Sequence, residues 1–73
     1  MKFNEYIDMN EQIRFGKPCI KETRISVEDV LGWLASGASI EEIITDYPQL
    51  NQKKIQACLQ YAAEKERRYQ IAG

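Results

Sequence analysis

Two Ser-x-x-acid signatures, Ser26-Val27-Glu28-Asp29 and Ser39-Ile40-Glu41-Glu42, constrain this chain most, because each stands directly before an apolar pattern of helical period. In each, the serine hydroxyl can accept from a free first-turn amide while the acid reaches back to the serine N–H, so two helix starts are specified locally. Val27, Val30, Leu31 and Leu34 keep the i, i+3, i+4, i+7 spacing, Ile25 and Val30 have staple spacing, and Gly37 is placed for a left-handed cap. The spacing predicts a helix over 27–36. Ile40, Ile43, Ile44 and Tyr47 mark one face of a second helix over 40–47, which Pro48 stops by pushing Tyr47 out of the α region. A helix that short holds only when packed.

Asn51 caps a third predicted helix, from 52 to 66–69. Leu50 and Ile55 straddle the cap, Ile55, Cys58, Leu59 and Ala62 form the apolar stripe, and Lys65, Arg67 and Arg68 favour the C-terminal end. Ahead of the helices, Gly16-Lys17-Pro18 is a turn signal, and Cys19-Ile20 and Arg24-Ile25 read as two β pieces around the tight turn Lys21-Glu22-Thr23. Phe3, Tyr6, Ile7, Met9, Ile13 and Phe15 follow no clean period, so residues 1–15 read as an irregular or short-strand arm. The expected fold is mainly α: a three-helix helix-turn-helix over 16–69, with a short N-terminal β-hairpin or arm, in a single domain.

A chain of 73 residues builds a core that rarely supplies more than roughly 3–5 kcal/mol without a staple or a partner. A homodimer is therefore expected, joined through strand pairing or arm exchange over residues 3–25, with Phe3, Tyr6, Ile7 and Trp33 as partner contacts. There is no histidine, and Cys19 and Cys58 have no second thiol nearby in sequence, so neither a zinc site nor a disulfide framework is expected. Cys58 falls on the apolar stripe, and packing is also the expected role of Cys19 despite its Lys17 and Lys21 flanks. No cofactor, metal or small-molecule substrate is expected. The chain has no apolar run of signal-peptide or membrane-span length, so a soluble, cytoplasmic protein is expected.

The formal net charge of −1 conceals segregation: residues 14–24 carry +3, residues 25–48 carry −5 with no base, and residues 49–73 carry +3. Such a balance argues against tight nonspecific DNA binding by one subunit, although it leaves room for a basic face. On the third helix, Gln52, Lys53, Gln56 and Gln60 fall on or beside one exposed face, where glutamine can pair with adenine and lysine can meet phosphate or guanine. The same four residues also fit an ordinary solvated helix face. Lys17, Lys21 and Arg24 are further candidates for phosphate contact, with an intramolecular ion pair from Arg24 to Asp29 or Asp46 as the competing role. Glu41, Glu42 and Asp46 are explained by capping, helix dipole and solvation, and three short helices offer no water-excluding cleft, so no enzyme is expected.

With Gly16-Lys17-Pro18-Cys19-Ile20, Thr23-Arg24-Ile25-Ser26-Val27, Glu41-Glu42 and Asp46-Tyr47-Pro48 in view, the chain resembles the bacterial domain of unknown function 433 family over residues 13–63. The resemblance implies a homeodomain-like three-helix fold. It further implies a VapB-like antitoxin that neutralises a PIN-like ribonuclease toxin encoded alongside it and binds its own operator. The alternative is a protein-interaction or dimerisation module that binds no DNA. The family pattern reads Gly-Thr-Arg where this chain has Glu22-Thr23-Arg24, so a residue with a Cβ occupies a position where positive φ is expected.

Overall fold

A computed structural model describes the backbone of residues 5–72 and the side chains of residues 5–67. The chain folds as β1 (Ile7–Met9), β2 (Pro18–Ile20), α1 (Val27–Ala35), α2 (Ile40–Asp46) and α3 (Gln52–Ala72). This is the mainly α, three-helix fold with a small antiparallel sheet at its N-terminal end that the capping and stripe patterns predict. The third helix extends past the expected 66–69.

Local chemistry explains each helix start. Ser26 accepts from the Asp29 N–H at 2.9 Å while the Asp29 carboxylate accepts from the Ser26 N–H at 3.1 Å. Ser39 and Glu42 repeat the reciprocal pair at 3.1 and 2.9 Å. Asn51 accepts from the Lys54 N–H at 2.9 Å. Each device satisfies amides that have no intrahelical partner. The end of α1 is equally specified: Gly37 has φ +103°, its N–H reaches the Leu34 carbonyl, and the Ala38 N–H reaches that of Trp33. These two bonds are those of a Schellman cap.

The sheet departs from the expected hairpin. Its ladder joins β1 to β2, with Ile7 opposite Ile20 and Met9 opposite Pro18, so the arm supplies a strand to its own chain. The 24–25 piece adds only the bridge of Cys19 to Ser26 and the bond from the Ile20 N–H to the Ile25 carbonyl. Pairing is interrupted there because Thr23 spends its hydroxyl inside the turn, donating to the Ile20 carbonyl at 2.8 Å and accepting from the Ile25 N–H at 3.0 Å. Between the strands, Asn10 closes a side-chain turn on the Gln12 N–H, and Arg14, Phe15 and Gly16 follow with φ of 53, 58 and 80°.

The core lies between the sheet and the inner faces of the helices: Ile7, Ile20, Ile25, Val27, Val30, Ile43, Leu50, Ile55, Ala57 and Cys58. The staple pairs Ile25 with Val30 and Leu50 with Ile55 are all buried. Burying one such Val, Leu or Ile side chain contributes about 1.5–3 kcal/mol, and truncating the fully buried Ile55 to Ala is expected to cost about 2–5 kcal/mol. Leu59, expected on the stripe, is instead 43% exposed. It is displaced about 100° around the helix from Cys58, and the buried arc turns the other way, toward Ala57. Trp33 of α1 and Tyr47, directly after α2, stack with ring centroids 4.4 Å apart and planes 8° from parallel, which fixes how those two helices meet.

Candidate nucleic-acid and partner-binding surfaces

The third helix is the longest element, and its two ends sit in different surroundings. Toward its N-terminus, Gln52, Lys53 and Gln56 are exposed and Gln60 is half-buried. Among the described residues, none of these four has a side-chain partner, while neighbouring Lys54 is committed to the Gln49 carbonyl at 2.8 Å. The turn over 47–51 is closed by the bond from the Leu50 N–H to the Tyr47 carbonyl, so α2 and α3 form a helix-turn-helix pair. This face can offer glutamine amides and one ammonium to base edges and phosphate. Exposed Leu59 lies in the same band.

Of the expected basic contributors from the N-terminal segment, Lys17 stands apart from that face. Lys17 lies 3.5 Å from Glu28 of α1 and lines a groove with Lys65 and Glu66 of α3. Lys65 is twelve positions, or about 18 Å, along α3 from Lys53. Lys21 and Arg24 are exposed on and beside the β-turn.

The ion pair expected of Arg24 belongs to Arg14. Arg14 Nη1 donates to Asp29 Oδ2 at 3.0 Å and to the Arg24 carbonyl at 2.9 Å, which fastens the loop to the cap of α1. Partial burial pushes the Asp29 carboxyl up, but the Ser26 N–H, the Arg14 guanidinium and the Ser26 hydroxyl outweigh it and hold the group below its ordinary value. The Ser39 N–H and hydroxyl likewise lower Glu42. Nothing in the sequence distinguishes Arg14 from Arg24 as the partner, because the choice depends on how the loop folds back.

Of the expected partner contacts, Ile7 is buried in the chain's own core at 7% exposure, and Tyr6 packs against that core. Trp33 is half-buried against Tyr47, and Phe3 lies outside the described residues. The structure instead presents Phe15, 99% exposed, and Met9, 65% exposed. Phe15 carries φ 58° and ψ 36°, a left-handed conformation uncommon for a bulky residue. Helical periodicity gives no signal for such a site.

Between α1 and the later half of α3 runs an apolar groove of about 750 Å³, walled by Val27, Leu31, Gly32, Ala35, Tyr61 and Ala62. Both cysteines are buried. Burial raises the Cys19 thiol in spite of Arg14, and it carries Cys58 to about 11. Among the described residues, no three His, Cys, Asp or Glu side chains group to hold a metal ion, and no helix is long and apolar enough to cross a membrane.

No curated protein matches the chain significantly. The chain is similar to a crystal structure, at 2.00 Å resolution, of a DUF433 member protein from Anabaena variabilis ATCC 29413. The two are 24% identical with a TM-score of 0.80, over 93% of this chain and 69% of that one, a likeness of fold. The model of the family described as "Protein of unknown function (DUF433)" matches residues 7–62, from the first residue of β1 into α3, and the chain belongs to that family.

Proposed function

We propose that this chain is an antitoxin-type regulator: it occupies a PIN-like ribonuclease toxin through apolar and acidic surface, and it binds operator DNA through α3. The observation that carries the operator clause is the uncommitted face of Gln52, Lys53, Gln56 and Gln60 on the second helix of a helix-turn-helix. Support for the protein-binding clause is the acidic surface of Glu41, Glu42 and Asp46, all exposed on α2, together with the exposed apolar side chain of Met9. The family resemblance supplies the class of toxin. Under this reading the chain performs no reaction of its own; its action is occupancy.

A specific observation favours a second reading, a protein-interaction module that binds no DNA. In a helix-turn-helix docked on a duplex, the first helix of the pair crosses the phosphate backbone. Here that helix is α2, whose exposed side chains include Glu41, Glu42 and Asp46 and no base. Three carboxylates against phosphates oppose binding. Coexpression with the adjacent reading frame, followed by copurification and a gel shift of the shared promoter, tests both readings. The antitoxin reading expects a stable complex with a PIN-like nuclease and a salt-sensitive shift. A complex without any shift supports the second reading, and the absence of a nuclease partner removes the first.

A further inference from the structure

We propose that the α1–α3 groove is the seat for Phe15 of a second copy of this chain, so that two copies exchange phenylalanines across a two-fold axis. This deepens the dimer expectation, and it stands independently of whether a toxin or DNA is bound.

Phe15 is built to project. Three successive left-handed residues, Arg14, Phe15 and Gly16, form its turn, and the turn is tied down on both sides. Arg14 is bonded to Asp29 and to the Arg24 carbonyl, the Gly16 N–H to the Ile13 carbonyl, and the Lys17 N–H to the Arg14 carbonyl. A bulky apolar side chain kept in a disfavoured backbone region, and left 99% in solvent, gains nothing from its own fold. The strain acquires a use when a partner covers the ring.

The groove offers the matching hole, and its place in the chain makes the occupant specific. It begins at Lys17 and Pro18, two and three positions after Phe15. Knob and hole are therefore close together on one molecule. A two-fold rotation can then place each Phe15 toward the other copy's groove and satisfy both contacts at once. The wall is indented at Gly32, where an added Cβ would meet nothing within 4 Å. The rim carries two lysines and two glutamates, Lys17 and Glu28 on one side and Lys65 and Glu66 on the other. That balance favours neither an acidic nor a basic ligand. A rotated copy presents the same four charges and can set lysine against glutamate. Two phenylalanines bury about 300–500 Å² between them. With the matching wall area, the contact approaches the roughly 1,000 Å² lower bound of a specific interface, so a weak, concentration-dependent dimer is expected.

Sedimentation equilibrium on the full chain, from about 1 µM to about 500 µM, a span covering the affinity expected of a small interface, tests the proposal with two variants. Phe15→Ser removes the knob at an exposed site, and Gly32→Leu fills the hole where the fold has open space. Circular dichroism should report both folded. Each should raise the dimer dissociation constant at least tenfold. Mixing them should recover heterodimer, since the intact Phe15 of the Gly32→Leu chain can still enter the open groove of the Phe15→Ser chain. A wild-type chain that stays monomeric throughout overturns the proposal. So does a dimer that both folded variants leave unchanged, which would point to the free edge of β1. Two weakened variants that show no heterodimer on mixing contradict the exchange geometry.

Discussion

Arg14 and Asp29 meet at 3.0 Å, and the carboxylate that takes this ion pair is the same one that caps α1 by accepting from the Ser26 N–H. One side chain thus couples the left-handed loop to a helix start. Removing it as Asp29→Asn is expected to cost about 1 kcal/mol at neutral pH, the loss of half a capping box plus a solvent-screened ion pair. Because the folded group sits below its unfolded value, its contribution is fully present above the unfolded value of about 4 and is lost as pH falls through the depressed folded value. Glu42 acts in the same direction. Urea midpoints of parent and Asp29→Asn should therefore stay apart above about pH 5 and converge in acid. A gap independent of pH down to about pH 2 would contradict this assignment.

Glu22 has φ +64° in the turn closed by the bond from the Thr23 N–H to the Ile20 carbonyl. That is the turn position at which glycine carries no steric penalty. Glu22→Gly is expected to stabilise the protein by about 0.5–1 kcal/mol despite the added freedom of the unfolded chain. Thermal melts should show a rise of several degrees, roughly 4–8 °C per kcal/mol for a domain of this size. A fall in the melting midpoint would mean that Glu22 makes a compensating contact.

Burial pushes the Cys58 thiol up from its ordinary 9.0 to about 11. The thiolate is correspondingly scarce near neutral pH, and Cys19 is shifted in the same sense. With both side chains buried, maleimide labelling of the folded protein should be slow at both positions and become fast in denaturant. Rapid labelling of native Cys19 would show that the 18–20 strand opens readily.

The helical part of this fold is legible in the sequence because its determinants are local. Ser26 with Asp29, Ser39 with Glu42, Asn51, Gly37 and Pro48 each act within one turn, and the structure places every one in the expected role. The sheet is less legible, since pairing of Ile7 with Ile20 spans an irregular loop whose course no short pattern dictates. The switch from Arg24 to Arg14 has the same origin. Leu59 neighbours Cys58 in sequence, whereas burial follows the angular position around α3. Of the candidate surface, the glutamine face is readable from helical spacing. The exposed Phe15 is not, because three left-handed residues in a row have no compositional signature beyond Gly16.

If α3 reads DNA, Gln56→Ala and Lys53→Ala should fail differently. Loss of the Gln56 amide should weaken binding to the promoter by about 1–3 kcal/mol and relax preference at one base pair. Loss of Lys53 should weaken all sequences alike and lower the slope of log affinity against log salt by about one. Fluorescence anisotropy across a salt series separates the two. Equal loss at both residues with no change in base preference would assign the face to nonspecific contact.

A chain that acts by occupying a nuclease should inhibit the purified product of the neighbouring reading frame when titrated into it. With a fluorogenic RNA substrate and nuclease well above the dissociation constant, activity should fall linearly and reach zero at a fixed molar ratio. Cleavage that persists at full rate in a large molar excess of folded chain would contradict it.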